Sequence, residues 1–384
     1  MQTVGIITTY RQANWGSVLQ AYALQQVIDN MGFESHIIDY AYPNEYHYSR
    51  GCKRSRSWLR NLPGNTVERI KICLKQLPPR KMELLNCFIS QHMRCTRRFV
   101  SYEDLHMDPP QYDIYVAGSD QIWNPNTMLG DMSYMLDFAP EKALRISYSS
   151  SFASLTIPEQ LQSDYRENLS KFAHISVREK NGVPVIQELL GREATVVLDP
   201  TLLLDRTYWT AIAQQAVPVS LPDKYILCYM LGYTYNPDKS MSQILHQLQD
   251  QYQMPVIAMN QLPSSFHGEE YRLPKSYGKG IEEFLMLMNN ATVVASSSFH
   301  GTAFALNLGR PIIALADGSS KADDRISSLM SGVGLLDHVV YSKTPLPTKL
   351  HPEYDEEKEQ HSLASLRSAS LDYLRESLEG ARCI

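Results

Sequence analysis

No stretch of the 384-residue chain approaches the roughly 18 to 20 consecutive apolar residues of a membrane helix. The N-terminus, MQTVGIITTY, has no basic region followed by an apolar one. It reads as a strand that starts at once rather than as a signal peptide. The six cysteines, at 52, 73, 87, 95, 228 and 383, show no CxxC spacing. They argue against a zinc ribbon and against a disulfide framework, and fit reduced thiols in a cytosol. Charged residues are only 20% of the chain and the formal net charge is −5, so nothing global points to nucleic acid. No GxGxxG, Walker A, HExxH or GxSxG pattern occurs, and no metal-spaced Cys/His set. Those absences argue against a dinucleotide site, a P-loop, a zincin and a serine-hydrolase elbow. Low-complexity tracts and short-period repeats are missing too.

What is present is globular. Hydrophobic residues are 43% of the chain, and the length suits two domains, each with its own core. Residues 3–9 (TVGIITT) read as a buried strand, 17–32 (SVLQAYALQQVIDNMG) as a helix with Ser17 as a candidate cap, and 33–40 (FESHIIDY) as a second strand. Strand, helix and strand in so short a span make a βαβ unit, hence a parallel sheet. Further strands are expected at 112–118, 145–152, 174–179 and 195–204. The segment 215–224 (QAVPVSLPDK) has two prolines and no period, and marks a domain boundary. The alternation then restarts, with strands at 224–231, 254–260, 291–298 and 310–317, and helices between them. An amphipathic helix over 362–380 closes the chain. The expected fold is α/β, two parallel-sheet domains facing one cleft. The first spans 1–220 with a basic helical insertion at about 45–105, and the second spans 221–384.

Five constellations could carry chemistry. In SSSFHGTAFALNLGRP (296–311) a buried strand ends in serines and a helix begins at His300 or Gly301. That is the carboxyl edge of a doubly wound sheet, where ligands bind. Ser297, Ser298 and Gly301 would line it, helix-start amides would attract phosphate or carboxylate, and His300 could serve as acid or base. The bland alternative is a histidine that merely caps the helix. In YVAGSDQIWNP (115–125), Ser119 and Asp120 end another strand. Asp120 could orient a sugar hydroxyl or act as base, and Trp123 could stack on a sugar face. An Asx turn beside a core tryptophan is the equal alternative. In ISVREKNG (175–182), Arg178 could clamp carboxylate or phosphate, or simply form an ion pair. In TTYRQANWGSVLQ (8–20), Asn14 and Gly16 could line the cleft or form a plain βα turn. In DGSSKADDRISSL (317–329), Lys321 and Arg325 could serve an anion or sit in a surface loop.

Charge is unevenly placed. Residues 50–98 hold 13 of the 36 Lys and Arg but only two acids, Glu68 and Glu83. A solvated helical face explains that. Contact with anionic lipid or a lipid diphosphate is the functional alternative.

Taken together, GSDQIWNP, SVRE followed by LDPTLLL, and SSFHGTAFAL followed by GRPIIAL make the chain resemble the polysaccharide pyruvyltransferase family over roughly residues 3–335. The resemblance implies two Rossmann-like domains in a glycosyltransferase-B-like arrangement. It implies phosphoenolpyruvate as co-substrate and a pyruvate ketal formed on two hydroxyls of a sugar or lipid-linked oligosaccharide; no cofactor is expected, and that chemistry does not itself require a metal. Capsule or exopolysaccharide assembly in the cytoplasm, at the inner membrane face, would follow. The family's motif histidine matches His300, and its motif arginine matches Arg178. Many members carry an arginine where this chain has Ser298, so Lys321 and Arg325 are the candidates to replace its charge. A nucleotide-sugar glycosyltransferase of the same architecture and a non-catalytic glycan-binding member are the two rival readings.

Overall fold

A computed structural model describes residues 1–40, 80–128, 130–232, 235–274, 277–318 and 323–380. Residues 41–79, which hold much of the basic segment, lie outside the described residues, as does Lys321.

The first half is built on β1 (Thr3–Ile7), β2 (Glu34–Ile37), β3 (Ile114–Ala117) and β4 (Leu144–Ser147), all parallel, in the order β2-β1-β3-β4. Parallel bridges from Ile146 to His174 and from Ser150 to Val177 carry the sheet on to β5 (Ser176–Val177) and β6 (Thr195–Val196). Strands β1 and β3 are Val- and Ile-rich and buried almost throughout, as expected of a parallel sheet covered on both faces. Helices α1 (Trp15–Asn30), α2 (Arg80–His92), α3 (Tyr102–Met107), α4 (Glu159–Ser170), α5 (Gly182–Leu190) and α6 (Arg206–Ala213) accompany these strands.

The second half holds a five-stranded parallel sheet of β7 (Ile226–Tyr229), β8 (Val256–Ala258), β9 (Val293–Ser296), β10 (Ile312–Ala316) and β11 (Val339–Tyr341). Its order is β11-β10-β9-β7-β8. Helices α7 (Asp238–Tyr252), α8 (Ile281–Asn289), α9 (Phe299–Asn307) and α10 (Arg325–Gly332) connect those strands. The chain order reverses between β1 and β3 in one sheet and between β7 and β9 in the other. In open α/β sheets the crevice at such a reversal is the ligand-binding place.

The two halves are packed together rather than merely tethered. Trp15 at the start of α1 stacks on Phe284 of α8, with centroids 5.5 Å apart, and meets Tyr229 of β7 edge-on at 5.7 Å. The last helix, α11 (Glu356–Glu379), reaches back to the first half. Ser370 Oγ accepts from the Leu198 amide at 3.0 Å, and Arg367 donates to the Leu202 carbonyl at 2.6 Å.

Several local expectations shift: the strand expected over 145–152 ends at Ser147, and the closing helix expected over 362–380 begins at Glu356. Asn14, not Ser17, caps α1, because its side chain accepts the Gly16 amide at 3.0 Å and the helix already begins at Trp15. The expected strand over 195–204 stops at Val196. Asp199 and Pro200 then open a 3₁₀ turn, with Asp199 Oδ1 accepting the Thr201 amide at 3.0 Å. The strand expected over 174–179 is reduced to Ser176–Val177. Among the described residues no helix is long and apolar enough to cross a membrane, and Cys87, Cys95 and Cys228 are unpaired.

Candidate active site

The facing carboxyl edges of the two sheets enclose a cavity of about 670 Å³. From the first half it is lined by Asn14 and Ser17 after β1, and by Asp120, Gln121 and Asn124 after β3. From the second half come Ser297, Ser298, Phe299 and His300 after β9, then Asp323 and Arg325 at the start of α10. The sequence candidates Asn14, Asp120, Ser297, Ser298, His300 and Arg325 therefore meet in one place.

Asp120 follows β3 by three residues and has a left-handed backbone, φ 75°. Asparagine and aspartate tolerate that region better than most residues. Its Oδ2 accepts from Ser17 Oγ at 3.1 Å, and its Oδ1 from the Gln121 amide at 2.9 Å and Arg178 Nη2 at 3.3 Å. Burial alone would push this carboxyl up. Arg178, His300 and Arg325 outweigh it and hold Asp120 below the ordinary range, so it stays ionised.

His300 is the second residue of α9 and lines the cavity, with its side chain 6% exposed. Its Nε2 lies 3.5 Å from Asp199 Oδ2. Ser298 is the N-cap of the same helix: its Oγ accepts the Gly301 amide at 3.2 Å. Ser297 Oγ is locked to the Leu231 backbone, donating to its carbonyl and accepting its amide, each at 2.8 Å. Arg325 grips Asp323 with two bonds, Nε to Oδ1 at 2.7 Å and Nη2 to Oδ2 at 2.6 Å.

Other candidates are placed differently from the sequence expectation. Trp123 is fully buried, donates Nε1–H to the Tyr134 carbonyl at 3.2 Å and packs on Phe152 and Phe172. It is a core residue and cannot stack on a sugar in this arrangement. Ser119 is also fully buried, with Oγ donating to the Ser149 carbonyl at 2.9 Å and to Asp199 at 3.1 Å. Arg178 does not line the cavity. Its side chain is 1% exposed, pairs with Asp199 at 3.0 Å and Asp120 at 3.3 Å, and lies 4.4 Å over the Phe299 ring. Two buried carboxylates claim the guanidinium that the sequence offered to a substrate anion. The Gly301 amide is taken by Ser298, and a Cβ there would strike Ser296 and Tyr229. Gly16 lies under the His300 ring rather than on the cavity wall.

Sequence reasoning passed over three groups that shape the site. Asp199 was visible in LDPTLLL but had no role assigned. Glu179, beside Arg178, is buried, and its Oε1 accepts from Ser151 Oγ, Phe152 N and Ala153 N at 2.9 to 3.1 Å. Asp323, two residues before Arg325, neutralises that arginine within the cavity wall.

The sequence model of a family described as polysaccharide pyruvyl transferase matches residues 14–319. That span is most of the chain, and the chain belongs to this family. No curated protein matches it. Among solved structures, the chain is similar to the UDP-GlcNAc 2-epimerase of Methanocaldococcus jannaschii, at 14% identity and TM-score 0.44, over 95% of this chain and 92% of that one. It is similar to the UDP-GlcNAc 2-epimerase of Neisseria meningitidis bound to UDP-GlcNAc, at 12% identity and TM-score 0.43, over 98% and 94%. It is also similar to UGT89C1 of Arabidopsis thaliana complexed with UDP-L-rhamnose, at 11% identity and TM-score 0.45, over 98% and 93%.

Proposed function

We propose that this polysaccharide pyruvyl transferase moves the enolpyruvyl group of phosphoenolpyruvate onto two hydroxyls of a sugar. The product is a pyruvate ketal on a precursor of a surface polysaccharide. The observation that supports it is one cavity bringing together an imidazole (His300), a cation (Arg325) and an ionised carboxylate (Asp120).

The donor carries a phosphate, a carboxylate and an electron-rich double bond. In this reading Arg325 and the start of α9 hold its anionic end. The first-turn amides of Phe299 and His300 have no intrahelical acceptor, and a helix start favours anions. His300 delivers a proton to the methylene carbon, leaving the central carbon oxocarbenium-like. One sugar hydroxyl adds there, phosphate departs, and the second hydroxyl closes the ketal. The two hydroxyl protons are accounted for, one on the new methyl group and one on the released phosphate. Asp120, held ionised by its cationic neighbours, is a weak base. It suits orienting the acceptor hydroxyl and opposing the positive carbon better than storing a proton. The wall on that side also carries the carboxamides of Asn14, Gln121 and Asn124, which both donate and accept, as hydroxyl groups require.

Calorimetric titration with phosphoenolpyruvate, beside a panel of nucleotide-sugars, tests the reading. Saturable binding of phosphoenolpyruvate, with phosphate release once a sugar acceptor is added, is expected. Binding of a nucleotide-sugar instead would move the assignment to a glycosyltransferase. Binding of glycan alone would make the chain a non-catalytic member.

A further inference from the structure

Asp199 is a carboxylate that the cavity does not see. It sits at the start of the 3₁₀ turn after β6, with its side chain fully buried. Its Oδ1 accepts the Thr201 amide at 3.0 Å and the Thr201 hydroxyl at 2.8 Å. Its Oδ2 accepts Ser119 Oγ at 3.1 Å and Arg178 Nη1 at 3.0 Å, and faces His300 Nε2 at 3.5 Å. Burial works against its charge, but His300, Arg178 and the Thr201 amide outweigh that and hold the carboxyl far below its ordinary range. Those partners favour its ionised form. Its ring partner has a matching gap: His300 Nε2 is buried and has no hydrogen-bond partner within normal reach among the described residues.

We propose that Asp199 is the positioning residue of the acid–base histidine. This rests on the reading that His300 handles the proton. An anion that has no proton to give can meet Nε2 favourably only when Nε2 carries the hydrogen. The neighbour of one ring nitrogen thus selects the tautomer, and Nδ1 is left as the nitrogen for the cavity. The 3.5 Å separation is of the kind that shortens when substrate settles a site. The same carboxylate ties the imidazole to Arg178 and, through it, to Asp120. His300, Asp199, Arg178 and Asp120 form one buried chain of polar contacts, in which the Arg178 cation lies between the two carboxylates. That chain crosses between the halves of the molecule. Asp199 follows the first sheet, whereas His300 follows β9 of the second. The tautomer is accordingly set only while the two halves are together.

The test is the tautomer itself, read by two-bond ¹⁵N–¹H correlation on the full chain labelled with ¹⁵N-histidine, with His300→Gln used to assign the signal. The wild-type neutral imidazole is expected to carry its proton on Nε2. In Asp199→Asn the signal should move toward a mixture of the two tautomers. Turnover should fall on the order of 10²- to 10⁴-fold, with the dissociation constant for phosphoenolpyruvate changed by less than about threefold, because Asp199 does not touch the donor. A wild-type proton on Nδ1 overturns the proposal. So does an unchanged signal in Asp199→Asn, or near-normal turnover in that variant. The wild-type spectrum decides the matter even where the variant does not fold. Nε2 protonation together with normal turnover of His300→Gln would leave the positioning intact and sink the catalytic reading instead.

Discussion

Gly16 lies directly against the imidazole of His300, and a Cβ at position 16 would overlap the ring atoms Cγ and Nδ1. The two residues come from the starts of helices in opposite halves, α1 and α9. The absence of a side chain at 16 is what lets the first half close over the histidine. Gly16→Ala should therefore push the ring or the halves apart. Overpacking of this kind costs typically about 1–3 kcal/mol, and turnover should fall by at least about tenfold, since small misplacements at a reacting centre are expensive. Thermal unfolding and steady-state kinetics check it. Wild-type turnover in Gly16→Ala would show that the contact yields freely.

His300→Gln keeps much of the side-chain volume and the helix start, and removes the titrating group. Turnover should drop by roughly 10²- to 10⁴-fold, the usual contribution of a positioned acid or base. Calorimetric binding of phosphoenolpyruvate should persist. Near-normal turnover would remove His300 from the mechanism.

Much of this site was legible in the sequence for one physical reason. Strands such as Ile114–Ala117 and Val293–Ser296 are apolar runs that end abruptly in small polar residues, and in a parallel sheet such ends lie at the ligand-binding edge. Asp120, Ser298 and His300 could be placed at the cavity on that pattern alone. Nothing local says which way a side chain turns once it is there. Trp123 sits three residues past Asp120 and goes into the core because Phe152 and Phe172 wait for it. Arg178 reads as a clamp until Asp199 and Asp120, each from another loop, are brought against it. The need for glycine at 16 and 301 follows from His300, and from Ser296 and Tyr229, crowding those positions. Tertiary contact, not propensity, decided each of these.

Arg178 is held between two buried carboxylates with its own side chain 1% exposed. Arg178→Gln leaves Asp199 and Asp120 facing each other without their shared cation. Breaking a buried pair on one side costs about 3–5 kcal/mol, so urea unfolding should shift by that order while turnover also falls. A large rise in the Michaelis constant for the donor with unchanged stability would instead make Arg178 a substrate clamp.

Glu359, in the first turn of α11, is 1% exposed, and burial pushes its carboxyl up to about 7. Between the ordinary carboxyl range and that value, the folded chain keeps a proton that the unfolded chain has released. The folded state is thus favoured by this group at low pH, and the advantage is lost as pH rises toward 7. Glu359→Gln should stabilise the protein at about pH 8 by about 1–2 kcal/mol, after allowance for solvent screening, and change little near about pH 4.5. Melting temperatures of the two proteins across that range check the sign. An equal effect at both ends would show that Glu359 is not carrying a proton.

Among the described residues Arg325 is the cation on the cavity wall, yet Asp323 already holds it with two short bonds. Burial opposes the Asp323 charge, but Arg325 outweighs it and keeps the carboxyl below its ordinary range. A donor bearing phosphate and carboxylate must share that guanidinium with a resident anion. Asp323→Asn keeps an acceptor for one of the two bonds and removes the competing charge. Binding of phosphoenolpyruvate should tighten by roughly threefold to tenfold, or about 0.7–1.4 kcal/mol. Arg325→Gln should weaken it by more than that, because the anion then meets Asp323 unneutralised. The two substitutions must act in opposite directions if Arg325 serves the donor. Parallel losses in calorimetric titration would mean that the pair only braces the start of α10, and that the charge missing at Ser298 is supplied from another place.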